Sequence, residues 1–246
     1  MRPDRLSALL IGNSRWHWAI QSDDDWHFEH CGPDPERLRR QSPWGWAAVG
    51  PLPRDAGLDP SRQITLADVP LKQLPPGLGV DRALAAWRAW RQIRATALAG
   101  VIVADAGTVL SLTKVTAAGS FVGGQLAPGL ALQLQAMAAG TRDLPRLDHQ
   151  AEMGGEDPMF PCETAAAMRR GALQASLGML LEAQRSCPWP IWLCGGDAPR
   201  LQPDLERRGA NVRYAPELVL EGLVTLLSSI RPGSGPSGSD RPSHRP

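Results

Sequence analysis

Two short segments of this chain place glycine and small polar side chains directly after an apolar run. In one, Val101-Ile102-Val103-Ala104 leads into Asp105-Ala106-Gly107-Thr108, and an alternating stretch continues over residues 109–115. In the other, Leu9-Leu10-Ile11 meets Gly12-Asn13-Ser14, and residues 15–20 continue beyond it. Both read as strand, tight turn, strand. Gly12 and Gly107 let the backbone approach another group closely. Turns of this kind aim N–H and hydroxyl groups at an anion. Two of them imply a phosphate held between two related half-domains.

The rest of the sequence limits which phosphate chemistry is available. The chain has only two lysines, Lys72 and Lys114, and no Gly-Lys pair, so a Walker-type loop is excluded. The protein-kinase H-R-D and D-F-G motifs are absent. The one G-x-G-x-x-G match, residues 233–238, has no strand before it and no helix after it, so it is read as chance. Nucleotide phosphates would therefore be met by backbone turns, hydroxyls, arginine and carboxylate-bound cations. Phosphoryl transfer tolerates this, because its catalysis is mostly positioning and charge stabilisation. Four cysteines, Cys31, Cys162, Cys187 and Cys194, form no C-x-x-C, and the five histidines form no H-E-x-x-H. They are read as buried or incidental thiols and scattered rings.

The elements that must position these turns follow from periodicity. With 246 residues and 43% hydrophobic content the chain can build real cores. A net charge of +1 gives no electrostatic footprint for nucleic acid. No apolar run is long enough to span a membrane, and residues 8–11 are too few for a signal-peptide core, so the expected location is cytoplasmic. Residues 1–20 read as a hairpin with Trp16 and Trp18 on one face and Arg15 and His17 on the other. Residues 21–45 read as a polar connection. Its Asp23-Asp24-Asp25 run is a solvated turn, since adjacent carboxylates do not converge. A short strand follows over 44–50, residues 51–78 show no clear pattern, and 63–66 are a candidate strand. Helices are expected over 81–95, 130–139, 164–184 and 216–229, with Thr164 as a cap. A hairpin is expected over 101–122 and a buried strand over 190–194. Trp16, Trp18, Trp87 and Trp90 lie at strand or helix periods, as core or dimer contacts do. The expected class is α/β: two related half-domains of mixed sheets flanked by helices, with a cleft between them. The halves would be residues 1–98 and 99–230, with the last helix packing back on the first half. The Gly/Pro/Ser-rich tail, 231–246, would be disordered.

Five motifs then occur in order: Gly79-Val80-Asp81-Arg82, Asp105-Ala106-Gly107-Thr108, Gly123-Gly124-Gln125-Leu126-Ala127-Pro128-Gly129, Glu163-Thr164 and Gly195-Gly196-Asp197-Ala198. With them, over roughly residues 8–228, the chain resembles the type III pantothenate kinases of the actin-like (ribonuclease H-like) superfold. That resemblance implies ATP-dependent phosphorylation of the primary hydroxyl of pantothenate, the first step of coenzyme A synthesis. It also implies a homodimer, a divalent metal such as magnesium, and potassium or ammonium.

The resemblance assigns roles residue by residue. Asp81 would be the catalytic base, and by its type it would also suit the cap of the following helix. Arg82 would hold either the pantothenate carboxylate or the transferring phosphoryl oxygens. Gly79 and Val80 would touch substrate through their backbone, and Thr164 through its side chain. Ile11, Gly12, Asn13, Ser14, Arg15 and Thr108 would contact ATP, with adenine lying against Gly195 and Gly196. Asp105 would be the monovalent-cation ligand, since hard cations prefer oxygen. Gly123, Gly124 and Gly129 would shape the hairpin exit.

The chain departs from the family pattern in its first turn. The family usually writes Asp-x-Gly-Asn-Thr, and here Leu10 takes the aspartate position and Ser14 the threonine position. That aspartate positions magnesium through water in related kinases, and leucine cannot. Lys72 stands where the family often supplies a substrate-facing aromatic. Leu10 keeps open a regulatory or binding homologue with impaired catalysis, and an actin-like kinase for another small alcohol is a separate alternative.

Overall fold

Alternation in the first hairpin generates the first sheet. β1 (Ser7–Ile11) returns as β2 (Trp16–Ser22). Leu9 lies opposite Trp18 and Ile11 opposite Trp16. These four pack with Leu38 and Trp46 on one face, and a one-residue slip would expose them all. The computed structural model describes residues 6–23, 25–53, 57–148 and 158–231. Packing divides the chain into two units, Met1–Thr65 with Leu220–Pro246, and Leu66–Val219.

In the first unit the sheet order is β3-β2-β1-β4, where β3 is Asp25–Cys31 and β4 is Gly45–Ala48. β2 and β3 run antiparallel to their neighbours, and β4 is parallel to β1. β3 and the short helix α1 (Pro35–Arg40) correct the expected polar connection over 21–45. The acidic and histidine residues of β3 hide its alternation, and only β2 pairs with it. Asp34 caps α1 by accepting from the Arg37 N–H at 2.9 Å. Asp23 has a left-handed φ of 54°, as a tight turn requires, and Asp24 lies outside the described residues. Residues 60–62 and 66–68 form 3-10 turns, and Gln63 makes only a single bridge to Trp46 instead of the candidate strand.

The second unit repeats this arrangement. β5 (Gly100–Ala106), β6 (Val109–Thr116), β7 (Phe121–Pro128), β8 (Ile191–Cys194) and β9 (Val212–Tyr214) lie in the order β7-β6-β5-β8-β9. β6 is antiparallel to β5 and β7, and β8 is parallel to β5. Strand for strand, β7-β6-β5-β8 matches β3-β2-β1-β4 in order and sense. Gly12 and Gly107 therefore occupy equivalent turns. Leu10 and Asp105 occupy equivalent places too, each one residue before the last paired position of its strand.

Both faces of β5 are covered, so it reads as a continuous apolar run. Ile102 and Ala104 meet Leu173, Leu177 and Leu180 of α4 (Thr164–Ser186) and Leu201 and Leu205 of α5 (Ala198–Arg207). Val101 and Val103 meet Ala85, Ala86, Ala89 and Ile93 of α2 (Val80–Ile93). The small residues of α2 let it lie close on β5 and β6. This places α2 in the second unit, so the boundary drawn near residue 98 falls instead near residue 65. α3 (Leu130–Gly140) packs on α4 through Leu130, Leu134, Met168 and Ala172.

α6 (Leu218–Ile230) ends in the first unit, where Leu227 lies against Gly45. Trp16, Trp18 and Trp87 are buried, and Trp90 donates its indole N–H to the Ala117 carbonyl at 2.9 Å. All four cysteines are free. From residue 232 onward the expected disordered tail lies outside the described residues, as do Gly154 and Gly155.

Candidate active site

The second unit assembles three ionisable groups beneath α2. Val101, Val103 and Asp105 share the face of β5 that α2 covers, because alternate residues of a strand point the same way. Asp105 thus ends an apolar row with a carboxylate. α2 begins at Val80 with Gly79 as its cap. Asp81 is therefore the second helical residue, which corrects its expected capping place. Its Oδ1 accepts the Arg82 N–H at 2.7 Å, and the positive end of the helix favours its charge.

Arg82 is not a solvated surface arginine. Its Nε donates to Thr113 Oγ1 at 3.1 Å and its Nη2 to the Leu112 carbonyl at 2.9 Å.

The three groups sense one another. Burial first, and then the negative charge of Asp81, raise the Asp105 carboxyl against the opposing Arg82 guanidinium, leaving it at about 7. Burial also raises Asp81, against the pull of the Arg82 N–H and guanidinium. Arg82 is lowered by burial and held up by the two carboxylates. The adjacent Cys194 thiol is pushed far up, first by burial and then by these carboxylates, so it is an inert thiol.

Two turns close around Asp105. β5 and β8 are parallel neighbours, with Asp105 opposite Cys194. Their carboxyl ends lead into the Gly107-Thr108 and Gly195-Gly196 turns, the edge at which open α/β sheets take ligands. The Asp197 N–H donates to the Ala106 carbonyl at 2.8 Å and joins the two turns. Gly195 has φ +91°, and a Cβ there would lie 2.5 Å from Asp105 Oδ1 and 2.6 Å from the Ala106 carbonyl oxygen. Gly195→Ala is therefore expected to cost about 2–4 kcal/mol, combining backbone strain with overpacking. Urea unfolding of the two proteins measures it.

Gly196 has nothing within 4 Å of its Cβ position, so its backbone is open to a flat ligand. Thr108 is exposed. Gly129 presses on this turn, with its N–H donating to the Thr108 carbonyl at 2.9 Å.

Thr164 is the first residue of α4 and the cap is Glu163, which corrects its expected capping place. Its side chain is exposed and makes no hydrogen bond among the described residues. Lys72 pairs through its backbone with the start of β7, its N–H donating to the Gly119 carbonyl at 2.8 Å.

Residues 11–15 belong to the first unit. Ile11 ends β1, and the Gly12 N–H donates to the Arg15 carbonyl at 3.0 Å across the turn. Gly50 packs on Gly12 so closely that a Cβ would lie 2.1 Å from the Gly12 carbonyl oxygen. Gly12 and Asn13 open onto a hollow lined by Trp16, Pro33, Pro35, Pro51, Leu52 and Pro53. This turn, like its counterpart, sits at the carboxyl ends of two parallel strands.

The residues around Asp105 offer oxygen atoms to a hard cation. With both carboxylates ionised, Asp81, Arg82 and Asp105 carry one excess negative charge. Asp105 makes no side-chain hydrogen bond or ion pair among the described residues, and the Ala106 carbonyl flanks the same point at Gly195. An all-oxygen set of this kind suits hard cations. Among the described residues no three His, Cys, Asp or Glu side chains converge as metal ligands, and Leu10 is a buried hydrocarbon.

Sequence reasoning missed Thr113 and the part played by Gly124. A signal for Thr113 exists: Ser111 and Thr113 are polar at positions where the alternation of β6 asks for apolar residues, and both are buried.

A duplicated mixed sheet with glycine turns at the ends of its parallel strands defines the actin-like class of ATPases and sugar kinases. A glucokinase from Balamuthia mandrillaris in complex with glucose shares this fold, with TM-score 0.53 and 11% identity over 91% of this chain and 93% of that one. A sequence model of the type III pantothenate kinases matches residues 61–185. Relatives named type III pantothenate kinase include one from Synechococcus sp. strain JA-2-3B'a(2-13), 35% identical over 88% of this chain and 86% of its own length. Another, from Synechococcus sp. strain JA-3-3Ab, is 34% identical over 96% and 98%. The chain belongs to the type III pantothenate kinase family. Among the described residues no helix is long and apolar enough to cross a membrane.

Proposed function

We propose that this protein transfers the γ-phosphoryl group of ATP to the primary hydroxyl of pantothenate, giving 4'-phosphopantothenate and ADP in the first step of coenzyme A synthesis. The observation that carries this reading is the half-buried Asp81 carboxylate beside an immobilised Arg82 and a second carboxylate, Asp105. Asp81 orients the hydroxyl and takes its proton as the new O–P bond forms and the bond to the ADP oxygen breaks. In a loose transition state the proton leaves late, so a carboxylate within hydrogen-bond reach suffices. Arg82 offers its remaining N–H groups to the pantothenate carboxylate or to the phosphoryl oxygens. Gly79, Val80 and Thr164 complete the pantothenate contacts.

Ile11, Gly12, Asn13, Ser14, Arg15 and Thr108 serve the ATP phosphates, and Gly195 and Gly196 serve the adenine. Asp105 holds potassium or ammonium, which neutralises the excess charge beside the phosphates. Magnesium arrives on the ATP oxygens and keeps most of its waters, as that ion commonly does. The active species is a homodimer in the cytoplasm.

Purified protein assayed with ATP, magnesium and pantothenate is expected to turn over with potassium or ammonium and to stall with sodium. Leu10 favours a second reading, a folded homologue that binds without catalysing. A folded protein inert toward pantothenate in every cation would overturn the pantothenate reading and favour this second one.

A further inference from the structure

We infer that Thr113 is the positioning residue for Arg82, its hydroxyl and the Leu112 carbonyl holding the guanidinium ready for the anionic part of the substrates. The inference rests on the kinase reading of Arg82 above. Thr113 lies in the middle of β6 and is 1% exposed, so solvent does not explain its hydroxyl. A buried polar group needs a partner, and its oxygen accepts from Arg82 Nε at 3.1 Å.

The opposing strand is shaped for the same guanidinium. Gly124 pairs with Thr113 across β6 and β7. A Cβ at Gly124 would lie 2.2 Å from the Leu112 oxygen and 2.6 Å from Arg82 Nη2. The slot therefore needs a hydroxyl on one strand and a bare backbone on the next.

The chemistry of the tether matters as much as its shape. Both acceptors are neutral, so they orient the guanidinium without cancelling its charge. An arginine has five N–H donors in a fixed plane, and two are spent here. The others stay available for a carboxylate or phosphoryl group in a direction that the tether determines. Ordering the long side chain before binding removes an entropy cost that would otherwise fall on substrate binding.

The test compares wild type, Thr113→Val and Thr113→Ser by steady-state kinetics and by the NMR resonance of the Arg82 Nε–H, assigned through its loss in Arg82→Lys. Thr113→Val is expected to lower kcat/KM for pantothenate about tenfold, the scale for one hydrogen bond to a charged group. The KM for ATP should stay near wild type. The Nε–H should exchange slowly with solvent in wild type and Thr113→Ser and rapidly in Thr113→Val, with Thr113→Ser recovering the rate. If Thr113→Val does not fold, Thr113→Ala is read in the same two ways. A folded variant that keeps either a protected Nε–H or wild-type kinetics overturns the inference. A wild type inert toward pantothenate removes the kinase reading alone, and the Nε–H resonance still decides the tether.

Discussion

Asp81→Asn is expected to lower kcat about a thousandfold, within the usual range for loss of a general base, while the fold persists. The amide oxygen of asparagine can still accept the Arg82 N–H, which now bonds Asp81 Oδ1 at 2.7 Å. It cannot take up a proton. Stability should not fall with the rate. Burial raises the carboxyl above its ordinary value, so this group contributes most to stability below pH 3.8 and loses that contribution as pH rises through its folded value. The substitution removes a half-buried carboxylate whose charged form burial disfavours, and the melting temperature should be equal or higher. Single-turnover phosphoryl transfer and a thermal melt on the same preparations measure both. A variant as fast as wild type would exclude Asp81 as the base.

Asp105→Asn should separate stability from activity in a different way. Its carboxyl titrates at about 7 when folded against an ordinary 3.8, chiefly through burial and then through Asp81. Between those values the folded state binds a proton that the unfolded chain has lost. Stability from this group is therefore full below pH 3.8 and falls as pH rises to 7, by an amount on the order of 4 kcal/mol. Asparagine escapes that loss, so the variant should melt higher than wild type above neutrality in a buffer containing only tetramethylammonium. A cation at this carboxylate favours its ionised form. Potassium should then stabilise wild type more at about pH 8 than at about pH 5, and should not stabilise the variant. Turnover by the variant should lose its response to potassium. An equal potassium shift in both proteins would move the cation site away from Asp105.

Much of this site was legible because turns advertise themselves locally. The Asp105-Ala106-Gly107-Thr108 and Gly195-Gly196 segments are short, follow buried strands and need glycine where the chain crowds its neighbours. Helices α2 and α4 were legible from helical spacing, to within a few residues. β3 was not, because an edge strand carrying Asp25, His27, Glu29 and His30 shows little apolar signal. Nor were the caps of α2 and α4, since Asp81 and Thr164 are capping types that the backbone places one or two residues inside the helix. The boundary near residue 98 failed for a related reason. α2 precedes the second sheet in sequence, and its alanine face commits it to β5 and β6.

The residue order alone determined the chemistry on offer: oxygen and backbone N–H groups for phosphate, no phosphate-loop lysine, the Asp81-Arg82 pair and the Asp105 carboxylate. These are properties of residue types and short spacings, which survive without a fold. Tertiary structure decided how those groups behave. Pairing β5 with β6 and β8 and laying α2 across them brought Asp81, Arg82 and Asp105 within reach of one another's fields. The same packing buried Thr113 and turned a flexible arginine into a fixed one. Burial and charge proximity depend on strands far apart in the chain, so no local pattern encodes them.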